Sequence, residues 1–143
     1  SKSKSDISII EKDKTVTLGL LSNFSQISSS SSNPYSNYFR NGVNLAIENS
    51  RSKLQKLGLK IKTKEFDYGV DVVNAISAAE KAAQSDVIGV VGYNWSSHAL
   101  LAAPVHIKEK LPMISDRMLS IMTSIDKKPV DGKNVSITCF QPL

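Results

Sequence analysis

An alternation constrains this chain most: short β-branched apolar runs are separated by longer stretches of helical period. "TVTLGLL" (Thr15–Leu21) lies between charged residues and "SNFSQ", and reads as a strand. "LKIKTKEF" (Leu59–Phe66) interleaves apolar residues with Lys60, Lys62 and Lys64, the pattern of a half-exposed strand towards a sheet edge. "DVIGVVG" (Asp86–Gly92) is an unbroken apolar run, as expected of a central parallel strand covered on both faces. "LPMIS" and "NVSITCF" supply two more short runs.

The intervening segments have another period. From Tyr38 onwards, Phe39, Val43, Ala46, Ile47, Leu54 and Leu57 recur at three- and four-residue spacing, which only a helix gathers on one face. Gly58 is placed to end that helix. Asp71 is placed to cap the next, "VVNAISAAEKAAQ", with its stripe of Val72, Ile76, Ala79 and Ala83. "SSHALLAAPVHIKEK" is helical again, and Pro104 inside it removes one backbone bond and predicts a bend. The serine-rich "SQISSSSSNPYSN" reads as a loop, and "DRMLSIMTSIDKKPVDGK" as a polar connection with one helical turn.

Strand and helix thus follow one another as β-α-β-α-β-α-β-β. Such alternation requires mainly parallel strands with right-handed crossovers. The expected fold is α/β: an open, doubly wound, mainly parallel sheet with helices on both faces, flavodoxin-like or Rossmann-like. In these sheets ligands sit beyond the carboxyl ends of the strands, where the strand order reverses. Three segments occupy that edge: "SNFSQ…PYSNY", "YNWSS" and "SDRML".

Composition excludes several function classes. The 143 residues, 41% hydrophobic and 22% charged, suffice for one globular domain with a core. No stretch approaches the roughly 20 apolar residues of a membrane helix. The net charge of +5 comes from scattered lysines, the pattern of a solvated surface, so no nucleic-acid partner is expected. The single Cys139 excludes an internal disulfide and reads as an inert core thiol in a buried strand. His98 and His106 have no ligand cluster beside them, so no metal is expected, and both read as surface or helix-face residues. No cofactor is expected either. A G-x-S-x-G elbow, a G-x-G-x-x-G loop and a P-loop are all missing, which argues against an enzyme.

Attention therefore falls on "VVGYNWSSHALLAAP" (Val90–Pro104). Ser96 and Ser97 read as helix caps or as part of an anion site built from a hydroxyl and free helix N–H groups. Trp95 reads as core packing or as a wall of a small-molecule cleft. Tyr35 and Tyr38 read as a helix-entry contact or as ligand cover. Asp67 and Tyr68 end the second strand near the same edge without forming a motif.

"TLGLLSNFSQ…NPYSNYFRNGVNLAIEN", "FDYGVDVVNAISAAEKAAQSDVIGVVGYNWSS" and "LLAAPVHIKEKLPMIS" resemble, in that order, the first lobe of type I periplasmic binding proteins. The branched-chain amino-acid binding proteins of ABC importers are the group concerned. The resemblance covers about Val16 to Leu143. It implies residues 1–14 as a polar tail or linker, and residues 15–143 as a first lobe whose second lobe is absent. It implies a non-catalytic role: two lobes close on an amino acid or small carboxylate, for import through a membrane transporter or for sensing by a receptor's signalling domain. By resemblance, Tyr35 covers the ligand, and Ser96, followed by Ser97, holds its carboxylate, with Tyr93 and Trp95 beside them. Arg117 and Leu119 stand where members carry small residues and threonine, which suits a ligand with an extra acidic group or a filled pocket. A periplasmic or extracytoplasmic location is likewise implied, although no signal peptide stands in the chain. The alternative is a sensing or dimerisation module with an altered pocket, pairing as a homodimer through helices of the first lobe.

Overall fold

A computed structural model describes residues 14–25, 34–115 and 136–138. Arg117, Leu119, Cys139, residues 26–33 of the serine-rich loop and residues 1–13 of the N-terminal segment lie outside the described residues, while the end of that expected loop, residues 34–37, is helical and opens the first helix.

The elements are β1 (Lys14–Ser22), α1 (Pro34–Lys56), β2 (Leu59–Asp67), α2 (Asn74–Ala83), β3 (Val87–Gly92), α3 (Ser96–Lys108), β4 (Met113–Ser115) and β5 (Ser136–Thr138). They form one sheet in the order β2-β1-β3-β4-β5. The first four strands are parallel, and β5 runs antiparallel to β4. This is the expected α/β sheet. β3 is central, and the lysine-rich β2 is the edge strand.

Alternate residues of a strand face opposite sides of the sheet, and here the two sides differ sharply. Leu21, Val90 and Met113 face α2 and α3 and join a core with Ala75, Ala78, Ala79, Ala82, Ala99 and Ala102. The small alanines let the two helices lie close to the sheet and to each other. On the other side Leu18, Ile61, Val91 and Ile114 face α1. Ser36 is the buried residue of α1, so its apolar stripe rests on the sheet half-covered. Between helix and sheet lies an open apolar cleft of about 550 Å³.

Local chemistry explains the element ends. Gly58 ends α1 at φ +66°, a left-handed conformation that favours glycine. Asp71 begins the turn into α2, its carboxylate accepting from the Val73 N–H at 3.1 Å and its carbonyl from Asn74 at 3.0 Å. α3 runs through Pro104, which is exposed, so its ring clears the core.

Candidate functional site

The chain leaves β1 in one direction to form β2, then returns past β1 to form β3. Strand order therefore reverses between β1 and β3, and the crevice above their carboxyl ends is where this architecture receives ligands. Ser22 closes β1 and Asn94 follows β3, and the two meet across that crevice. The fully buried Ser22 Oγ donates to Asn94 Oδ1 at 2.8 Å. Asn94 is held from below as well, because its backbone N–H donates to the Tyr68 hydroxyl at 2.9 Å.

On the crevice's far wall, Asp67 organises the loop after β1. Its carboxylate accepts from the backbone N–H groups of Phe24, Ser25 and Gly69 at 3.0, 3.0 and 2.8 Å. Burial alone would raise this carboxyl, but those hydrogen bonds outweigh it and hold the group below its ordinary value. The Arg40 guanidinium stacks on the Phe24 ring, 4.6 Å from its centroid, and pairs with Glu65. The start of α1 is thus fastened both to β2 and to the loop. Asp67 has its acceptors engaged by backbone and acts as a brace for the loop.

The structure distributes the sequence candidates unevenly. Ser96 opens α3 as expected, and Ser97 follows on the exposed side. Trp95 precedes the helix in extended conformation, contributes no side-chain cap and is 62% exposed, which removes it from the core. No acidic side chain stands in the first turn of α3, so no carboxylate of the helix itself offsets the positive end of its dipole. Tyr35 and Tyr38 are both exposed near the start of α1.

Tyr93 is different. It is 1% exposed, it stacks on Tyr68 with centroids 5.5 Å apart, and its hydroxyl lies 2.7 Å from His106 Nε2. That side chain belongs to the core rather than to the rim, and only its carbonyl faces the edge, accepting from Ser115 Oγ at 3.4 Å. The histidines are corrected in the same way. His106 is 0% exposed, with Nδ1 on the Leu111 carbonyl side at 2.9 Å and Nε2 facing Tyr93. His98, 8% exposed, packs over Tyr68 at 4.7 Å. Burial lowers the pKa of both imidazoles, raises the Tyr93 phenol strongly and pushes Tyr68 up to about 12. All four rings are therefore neutral near pH 7. The misplacement has a physical cause: α3 is apolar nearly all round, so its sequence gives no polar face to orient it.

Sequence reasoning had Ser22, Tyr68 and Asn94 at this edge but gave none of them a role. The strand-end positions of Ser22 and Tyr68 were the available signal, but pairing across the crevice is visible only once strand order is known.

Among the described residues, no group of three or more His, Cys, Asp or Glu side chains is arranged to hold a metal, and no helix is long and apolar enough to cross a membrane. No family model and no curated protein matches the sequence. Solved structures do match. An ABC transporter substrate-binding protein from Desulfitobacterium hafniense, in complex with Leu, superposes with a TM-score of 0.63 at 18% identity, covering 78% of this chain and 31% of that one. The fold is that of one lobe of a type I periplasmic binding protein. The substrate-binding protein LivJ from Streptococcus pneumoniae, in complex with isoleucine, gives 0.59 at 23% identity over 73% of this chain and 29% of that one. A solute binding protein from Rhodopseudomonas palustris BisB5, in complex with 3,4-dihydroxy benzoic acid, gives 0.58 at 22% identity over 72% and 27%. The chain spans less than a third of the length of each.

Proposed function

We propose that this chain is the first lobe of a non-catalytic solute-binding protein that takes an amino acid or related small carboxylate at the β1/β3 crevice. The observation that carries the reading is the start of α3. Its backbone N–H groups and the Ser96 and Ser97 hydroxyls stand at the strand-order reversal, and no acidic residue lies in the helix's own first turn. The ligand carboxylate sits there. Exposed Trp95 forms a wall, and Tyr35 of α1 covers the ligand. Neighbours of this fold carry leucine, isoleucine and a hydroxylated benzoic acid, which share a carboxylate and little else.

In a two-lobed protein, ligand contacts made only in the closed form drive closure, and a transporter or receptor partner reads that form. The location is extracytoplasmic. Calorimetric titration with L-leucine, L-asparagine and benzoate tests the reading. At least one should bind saturably, and Ser96→Ala should weaken it about tenfold by removing a hydrogen bond to a charged group. Wild-type protein that binds none of them would overturn it.

A second reading, a dimerisation module, draws on α1. Tyr38, Leu45 and Leu57 are more than half exposed there, and the apolar cleft lies beneath the helix. A monomeric mass in solution at micromolar concentration would eliminate it.

A further inference from the structure

We infer that Asn94 selects the ligand's side group, favouring one that carries a hydrogen-bond acceptor over an aliphatic one. This rests on the solute-binding reading, and it assigns that site a substrate class: polar amino acids of the asparagine and aspartate type, and carboxylates of like shape.

The inference starts from Ser22. With no exposed surface, its hydroxyl proton must be given to an acceptor inside the protein, and Asn94 Oδ1 stands at 2.8 Å. That bond fixes which end of the carboxamide faces the strand. The backbone of the same residue is fixed independently by the Tyr68 hydroxyl, itself 1% exposed and wedged between the Tyr93 and His98 rings. The carboxamide is therefore held at the mouth of the crevice by Ser22, and the backbone that carries it by Tyr68. With Oδ1 engaged on Ser22, Nδ2 lies at the opposite end of the planar group with two hydrogens to donate.

Asn94 is half-buried and stands two residues before Ser96, between the strand end and the anion-binding helix start. A ligand whose carboxylate sits on α3 carries its other substituents past this amide. An acceptor there pairs with Nδ2. An aliphatic group strips water from Nδ2 and returns nothing, and a site that leaves its own donor unpaired discriminates strongly.

L-Leucine and L-asparagine have nearly the same shape and differ in whether the side group offers an acceptor, so they make the test pair. In calorimetric titration of the protein, L-asparagine should bind at least about tenfold more tightly than L-leucine. Asn94→Leu should reverse that order, whereas a purely structural role would weaken both ligands alike. Tyr68→Phe, which removes the acceptor of the Asn94 N–H, should narrow the ratio by loosening Asn94. Wild-type protein that prefers L-leucine, or an Asn94→Leu variant that keeps the wild-type ratio, overturns the assignment and leaves the solute-binding reading standing. Failure of wild-type protein to bind either amino acid or benzoate overturns both.

Discussion

Gly92 shows how a single residue sets the geometry of the crevice. Its φ of +144° is one that side chains rarely adopt, and a Cβ there would overlap the Leu21 carbonyl oxygen of the neighbouring strand. Backbone of β1 and β3 can approach at the switch point only because nothing projects from this position. Gly92→Ala should cost about 3 kcal/mol or more, read as a lowered denaturant midpoint with an unchanged slope. The sequence marked Gly92 as the end of an apolar run, and the strand pairing supplies the reason it is a glycine. Asp67 teaches a similar lesson. A lone acidic residue at a ligand edge invites a functional role, yet three backbone N–H groups take its acceptors, and no side-chain motif in the sequence announces backbone partners.

At the level of elements, the alternation of periods gave the right order of strands and helices because burial on two faces forces a continuous apolar run and burial on one forces a stripe. Orientation about a helix axis was less legible. In α1 the stripe is present, but the cleft beneath it leaves Val43, Ile47 and Leu54 only half-buried. In α3 the reverse holds: buried His98 and His106 hide in a helix with little amphipathic pattern. Pro104 belongs to the same helix. It deprives the Leu100 carbonyl of its N–H donor while sitting on the exposed side. Pro104→Ala restores that donor without opening a cavity, so it should raise stability by about 1 kcal/mol, net of the proline's stiffening of the unfolded chain. Thermal unfolding of the two proteins checks it, and an unchanged or lower midpoint would show that the neighbours already satisfy the Leu100 carbonyl.

For the whole molecule, buried neutral histidines couple the core to pH. Both imidazoles have folded pKa values below the ordinary 6.5, so each takes up a proton at a higher pH in the unfolded chain than in the folded one. Between the depressed folded values and about 6.5 the unfolded state binds more protons. Stability is therefore full above about pH 6.5 and falls as pH drops below it. Asp67 adds a further loss in the acid range, as pH falls through its lowered value. Urea midpoints from about pH 7.5 to about pH 5 should decline, and His106→Gln should flatten that decline by removing one of the two groups.

The central claim is that a small carboxylate binds where β1 and β3 part. Backbone amide shifts recorded by NMR during titration with L-asparagine test it most directly. Saturating changes are predicted for Ser22–Ser25 and Asn94–His98, with Val43, Ile47 and Leu54 under α1 unmoved. Changes concentrated on the α1 face, with Asn94–His98 silent, would contradict it.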